Sequence, residues 1–256
     1  GYSFSGTALI VPPLLRRVYA PAAVSPGPFE PASRDHAARV ERRYRTMEPY
    51  PRLFARYKMR FDPMFSELHL LMDGPKTIVD IGTGYGVPAV WLAELFPEAR
   101  LYGIEPDEMR RRVAAWALGG RGTVERGRAP DLPGFPGRAD AVIAIDMIHY
   151  LGDDDLALLL GRAGEKMSPK GVLVMRGTVP SGRQTVLRMI ERLWVRMRGL
   201  TARYRTAEEV ARIMEGQGFD VTVRDSIDAS REEKWFLGKP VKRLPRKKKK
   251  GPRRRT

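Results

Sequence analysis

Val79-Asp80-Ile81-Gly82-Thr83-Gly84-Tyr85-Gly86 decides how this chain is to be read, and Glu105, 23 residues beyond Gly82, completes it. The apolar run from Thr77 to Ile81 predicts a short strand, and the three glycines break it. A backbone without β-carbons can bend sharply there and come close to a ligand. The helix predicted over Pro88 to Leu95 adds the unpaired N–H groups of its first turn. Arg100 to Ile104 predicts a second strand with Glu105 at its end. A carboxylate in that place accepts hydrogen bonds from ribose hydroxyls.

Outward from this corner the pattern repeats. A helix follows Glu105-Pro106-Asp107 to about Leu118, and Ala139 to Ile145 is a buried strand. Leu156 to Met167 is a helix, and Gly171 to Arg176 is a strand introduced by the turn Ser168-Pro169-Lys170-Gly171. Strands alternating with helices imply right-handed crossovers and a mostly parallel sheet, and their lack of polar alternation suits burial on both faces. The end differs. Thr206 and Glu209 form a capping box for a helix that stops at Gly216-Gln217-Gly218. Asp220 to Arg224 and Lys234 to Gly238 then follow as strands with no helix between them, a terminal antiparallel hairpin. Upstream, Ser33 or Asp35 caps a helical stretch reaching Phe61 with a break at Pro51, and a second helix spans about Pro63 to Met72.

Position 87 is Val, so the dinucleotide spacing GxGxxG is not met, and no GK[ST] of a phosphate-binding loop is present. The GxGxG loop, with the acid downstream and the closing hairpin, resembles the class I S-adenosylmethionine (SAM)-dependent methyltransferases from about Ile78 to Gly238. The resemblance implies an α/β fold: a seven-stranded, mostly parallel Rossmann-like sheet with a C-terminal antiparallel hairpin, plus N-terminal helices. It implies SAM as cofactor, with Asp80 near the methionine part. Gly82, Thr83, Gly84, Tyr85 and Gly86 would lie beneath the ligand, and Glu105, next to Pro106, would take the ribose. Near the third strand, where an acid often meets the adenine amine, this chain has Arg128. Adenine recognition then falls to backbone groups or to Asp131 through a shifted loop.

In that family acceptors approach the end of the fourth strand, here Asp146-Met147-Ile148-His149-Tyr150. Histidine as a residue type titrates near neutrality, so His149 can serve as the base, with Asp146 orienting it, acting alone or touching the cofactor. A histidine at a helix start with no proton to move is the plainer alternative. Without cysteine there is no nucleophile for cytosine carbon-5 methylation, no disulfide and no zinc-thiolate site. Ile145 to Tyr150 is not the Pro-Pro-aromatic segment that accompanies amino-methylation of DNA bases. His36, His69 and His149 lie far apart, so no metal site is expected. Asp153-Asp154-Asp155 suits the N-terminus of the next helix better than a cation.

Two additions to the core bear on the acceptor. Residues 34–61 are basic and aromatic, and by resemblance they lie over the cofactor mouth, so Tyr44, Tyr50 or Lys58 can line the pocket; a solvated basic face is the alternative. Ser181 to Leu200 carries Leu187, Ile190, Trp194 and Met197 at helical spacing among arginines. That segment reads as core packing, or as an amphipathic lid or lipid-surface helix with Trp194 facing the acceptor.

The 256 residues hold 46 Lys and Arg against 30 Asp and Glu, a formal charge of +16, with 43% apolar residues. From Lys239 to Thr256 there are 11 basic residues and no acid, so residues 1–238 carry only +5. The expected organisation is an apolar and Pro-rich arm or linker at 1–33, a helical cap at 34–75, the SAM-binding domain at 76–238 and a disordered polybasic tail at 239–256. No apolar run reaches the ~18 residues of a membrane span. Ala8 to Leu15 followed by Arg16 and Arg17, in a chain that opens on Gly1, reads either as the cytoplasmic end of a lost span or as an arm packed on the domain. The favoured function is methyl transfer to a small-molecule or lipid-like acceptor, in the cytoplasm or peripherally at the inner membrane face. The basic segments would meet anionic lipid there. The alternatives are an RNA methyltransferase using the tail for phosphate contacts, with nucleic acid the less favoured partner, and a non-catalytic SAM-binding regulatory domain.

Overall fold

The computed structural model describes residues 30–179, 202–228 and 232–241. Trp194 with its segment, the arm before residue 30 and the basic tail beyond Val241 lie outside the described residues. Seven strands form one sheet: β1 (Thr77–Ile81), β2 (Arg100–Glu105), β3 (Gly122–Arg126), β4 (Ala139–Ile145), β5 (Met167–Thr178), β6 (Phe219–Asp225) and β7 (Glu233–Pro240). Their order is β3-β2-β1-β4-β5-β7-β6. Strands β1 to β5 pair in parallel, and β7 runs antiparallel to both β5 and β6. This is the expected sheet with its closing hairpin.

The helices are α1 (Arg34–Tyr44), α2 (Pro49–Phe61), the short α3 (Met64–Glu67), α4 (Val87–Leu95), α5 (Glu108–Leu118), α6 (Asp153–Lys166) and α7 (Ala207–Gly216). β1 carries Ile78 and Val79 on opposite faces. Ile78 joins the core under α1, α4 and α5, whereas Val79 joins the one under α6 and α7. Two apolar layers on one sheet are what continuous apolar strands require.

Four local expectations are revised or resolved. The stretch expected to break at Pro51 breaks instead at residues 45–48, and Pro51 sits inside the first turn of α2, where its missing N–H costs no helical bond. Ser33 is the cap, accepting from the His36 amide, while Asp35 pairs with Arg39 in the first turn. The second N-terminal helix is only α3, continued by a 3-10 turn over Leu68–Leu71. Ser168 to Gly171, read as a turn, is an irregularity within β5, where the pairing jumps from Ala139–Met167 to Ala141–Val172.

The cap is bolted to α4. His36 stacks on Trp91 at 3.7 Å and its Nε2 meets the Trp91 carbonyl at 3.0 Å; burial lowers its pKa to about 4, so the ring packs neutral. Arg43 pairs with the buried Glu94 at 2.6 Å. Tyr44, fully buried, donates its hydroxyl to the Tyr85 carbonyl at 2.9 Å.

The third glycine of the bend serves this packing. Gly86 has φ +81°, and a β-carbon there would lie 2.9 Å from that of Ala114. Gly86→Ala is expected to destabilise the domain by about 1–3 kcal/mol from overpacking, with backbone strain added. Thermal unfolding measures it, and an unchanged midpoint would contradict the tight approach of α4 to α5.

Candidate active site

The bend is shaped by its own hydrogen bonds. The Gly82 and Thr83 amides both donate to the Ile104 carbonyl, at 3.0 and 3.1 Å, and the Gly86 amide returns to the Thr83 carbonyl at 2.9 Å. The Thr83 hydroxyl donates to the Asp80 carbonyl, and Gly103 leaves the room in which that side chain sits. At Gly84 an added β-carbon would meet nothing nearer than the Gly82 carbonyl at 4.0 Å, so this is the open step of the loop.

Glu105, buried at the end of β2, turns into the bend. One of its oxygens accepts the Gly84 amide at 2.8 Å and the other the Asp107 amide at 3.0 Å. Asp80 is buried at the end of β1 with Oδ2 lacking a hydrogen-bond partner. Burial pushes its pKa up to about 7, with Glu105 adding to the rise and Thr83 offsetting part of it. An orphaned carboxylate oxygen, a second buried acid and a bare backbone step make a pocket that fits SAM: an ammonium for Asp80 and ribose hydroxyls for Glu105.

Tyr85 packs under Tyr50 and Phe54, at ring separations of 5.8 and 4.9 Å, with the Arg110 guanidinium 5.5 Å from its ring. Pro106 is exposed beside Glu105. Arg128 is exposed on the loop after β3. Asp131, the other adenine candidate, is held by Arg162 at 2.6 Å.

The acceptor side departs from the sequence reading. Asp146 was expected to orient His149, act as base or touch the cofactor; its carboxylate is taken by Arg176 (Nε at 2.8 Å, Nη2 at 2.5 Å) and Lys58 (3.0 Å). Burial opposes its ionisation, but Lys58 and Arg176 outweigh that and keep its pKa below the ordinary carboxylate value. A carboxylate so held is a poor proton acceptor. Lys58, read as a pocket residue, bridges Asp146 and Asp62. Tyr44 sits behind the glycine bend rather than at its mouth. Tyr50 is exposed on α2 beside Tyr85.

His149 is buried in a 3-10 turn, Ile148–Tyr150, packed on Tyr150 and stacked with Tyr204 at 5.6 Å. Its Nδ1 has no partner, and burial lowers its pKa, with the Asp146 charge offsetting part of the fall. The turn is clamped by Arg205, which donates to the Ile148 and Leu151 carbonyls and pairs with Asp153, and by the Arg203 amide on the His149 carbonyl. Met147 links the two sides: a β-carbon on Gly82 would touch its side chain at 3.3 Å.

Sequence reasoning missed Asp62, Arg176 and Arg205. For Arg176 a signal existed. An arginine within the run Val172 to Met175 and Gly177 must bury its charge, and therefore needs buried carboxylates.

The methyltransferase-domain family model matches residues 44–223. The chain belongs to this family, the class I SAM-dependent methyltransferases. Among solved structures it is similar to human N-acetylserotonin methyltransferase in complex with SAM, at 15% identity and TM-score 0.58, covering 79% of this chain and 56% of that one. The mitomycin 7-O-methyltransferase MmcR matches at 20% identity and TM-score 0.59, covering 75% and 56%. A SAM-dependent methyltransferase from Mesorhizobium loti matches at 17% identity and TM-score 0.56, covering 70% of this chain and 98% of that one. The chain thus spans little more than half the length of the first two. No curated protein sequence matches the chain significantly.

With its pKa near 7, Asp80 loses its charge as pH falls from 8 to 6, and with it the partner for an ammonium. SAM binding is therefore expected to weaken about tenfold over that interval, and Asp80→Asn to flatten the dependence. Glu105→Ala is expected to weaken binding at pH 8 by roughly tenfold, the loss of a charge-assisted acceptor. Isothermal calorimetry reads both, and unaltered affinity in Glu105→Ala would remove Glu105 from the site.

Proposed function

We propose that this domain methylates a small-molecule acceptor whose nucleophile gives up a proton to His149, with SAM held by Asp80, the Gly82–Gly86 bend and Glu105. SAM, when bound, supplies a sulfonium methyl group for in-line displacement. The observation that carries the reading is the buried, partnerless Nδ1 of His149, two residues from the Met147 that abuts the bend. Burial keeps the imidazole neutral, the form that accepts a proton, and Tyr150 and Tyr204 fix its plane. Arg176 and Lys58 occupy Asp146, which leaves His149 as the base on the acceptor side in this reading. The small-molecule class is supported by neighbours whose names refer to N-acetylserotonin and mitomycin.

A lipid-like acceptor met at an anionic membrane surface is the finer reading, and one face of α2 supports it. Tyr50, Leu53, Tyr57 and Phe61 are 62, 43, 53 and 60% exposed, in helical register and interleaved with exposed Arg52, Arg56 and Arg60. No acid lies on this helix. Aromatic rings with arginines on one side suit the boundary between headgroups and acyl chains, and Tyr50 brings that side to Tyr85 of the bend. Among the described residues no helix is long and apolar enough to cross a membrane.

His149→Gln is expected to lower kcat at least ~100-fold while SAM affinity stays unchanged. Release of S-adenosylhomocysteine, measured across a panel of hydroxylated small molecules and lipids, tests this; undiminished turnover would exclude His149 as the base. Replacing Tyr57 and Phe61 together by Ser is expected to weaken association with phosphatidylglycerol-containing vesicles by about tenfold or more. Co-sedimentation unchanged from the parent chain would remove α2 as the membrane face.

A further inference from the structure

Four charged side chains meet where the cap crosses the end of the sheet. Arg176 lies in β5 with its side chain 2% exposed and its guanidinium 5.7 Å from the centre of the Trp235 ring. It grips Asp62, just past the end of α2, with Nη1 at 2.6 Å and Nη2 at 2.7 Å, and Asp146 with Nε and Nη2. Lys58 bridges the same two carboxylates at 2.8 and 3.0 Å. Two cations and two anions balance. The Asp62 and Asp146 carboxyls are both held below their ordinary pKa, because Arg176 and Lys58 outweigh the burial that opposes ionisation.

Asp146 is also one of two non-glycine residues with positive φ among the described residues, at +56°. Its amide donates to the Arg176 carbonyl at 3.1 Å, so one residue holds both its backbone and its side chain. The neighbour of Arg176 takes part as well: a β-carbon on Gly177 would lie 2.6 Å from Ile148 Cδ1, and its absence lets Ile148 seat against β5. From this left-handed residue the chain runs through Met147, which abuts Gly82, to His149.

We propose that Arg176, assisted by Lys58 and Asp62, is a positioning residue. It fixes Asp146 in its left-handed turn, and thereby sets His149 beside the glycine bend and couples the cap to the acceptor side of the site. A point charge would neutralise the carboxylates equally well. Arg176 adds a planar fork with three donor nitrogens that orients both at once, and lysine cannot reproduce it. The inference rests on reading His149 as the base, but its test reads the place of the ring and needs no acceptor.

In the full 256-residue chain, the His149 ring signal is identified by NMR as the one missing from His149→Gln. It is then titrated in Arg176→Lys, and S-adenosylhomocysteine affinity is measured by calorimetry. The expected result is a His149 pKa that rises by about half a unit or more towards the ordinary 6.5 as the ring leaves its buried seat. Nucleoside affinity should stay within about threefold. If Arg176→Lys does not fold, Asp146→Asn serves, and there the two causes have opposite signs. Loss of the carboxylate charge alone lowers the His149 pKa, whereas release of the turn raises it, and a rise is expected. An unmoved His149 titration in folded Arg176→Lys, a fall in Asp146→Asn, or loss of S-adenosylhomocysteine binding in Arg176→Lys would overturn the proposal. Continued methyl transfer by His149→Gln would instead sink the base reading and leave the ring measurement standing.

Discussion

One carboxylate joins the two halves of the donor pocket. By accepting the Gly84 amide at 2.8 Å, Glu105 draws the bend after β1 onto the end of β2. Its second oxygen fixes the Asp107 amide at the start of α5. A carboxylate offers about four lone-pair positions, and two backbone donors leave room for hydroxyl donors from a ligand. The acid is thus a tie in the scaffold that keeps acceptor capacity for the ribose proposed there. Asp80 lies close enough for Glu105 to help raise its pKa, and its free oxygen leaves the pocket short of positive charge and of donors. A ligand bearing an ammonium and vicinal hydroxyls answers both deficits at once.

Much of this corner was legible because it is local. Glycine spacing, the strand before it and the acid at the next strand's end are set by short-range backbone needs, and β4, with its terminal Ile145, falls where apolar periodicity places it. β3 was given no bounds from sequence because Gly122 to Arg126 is an edge strand with only Val124 buried, so it carries almost no apolar signal. The break before α2 was misplaced by reading Pro51 as a stop; proline stops a helix from its interior and favours its first turn. Ser168 to Gly171 has the composition of a turn, but strand pairing on either side draws it into β5 as an irregularity.

At the end of β4 the sequence showed which ionisable residues stand together and not how they pair. Asp146 and His149 are three apart and invite a dyad, yet the partners that claim Asp146 come from 88 residues upstream and 30 downstream. Sequence proximity carries no weight against a guanidinium that is already buried and must be neutralised. Tyr44 was misread for a similar reason. An aromatic in a basic, amphipathic helix can face either way, and the backbone acceptor at Tyr85 that fixes its direction is a tertiary fact.

The Lys58–Asp62–Asp146–Arg176 cluster also bears on what the cap is for. Buried ion pairs give back little net stability relative to well-packed apolar groups, whereas removing one member costs about 3–5 kcal/mol because charges are left uncompensated. If adhesion were the whole need, the contacts of His36 with Trp91 and of Arg43 with Glu94 already fasten the cap to α4. What an apolar contact cannot do is prescribe orientation. The fork of Arg176 does so for two carboxylates on different elements, one just past the end of the cap helix and one at the point where β4 turns towards His149. The cap is thereby registered to the end of the sheet where β4 turns towards His149 by a directional, forked interaction. A displacement of α2 against a surface or an acceptor therefore reaches the site by two direct routes, at Tyr85 through Tyr50 and Phe54 and at Asp146 through Lys58.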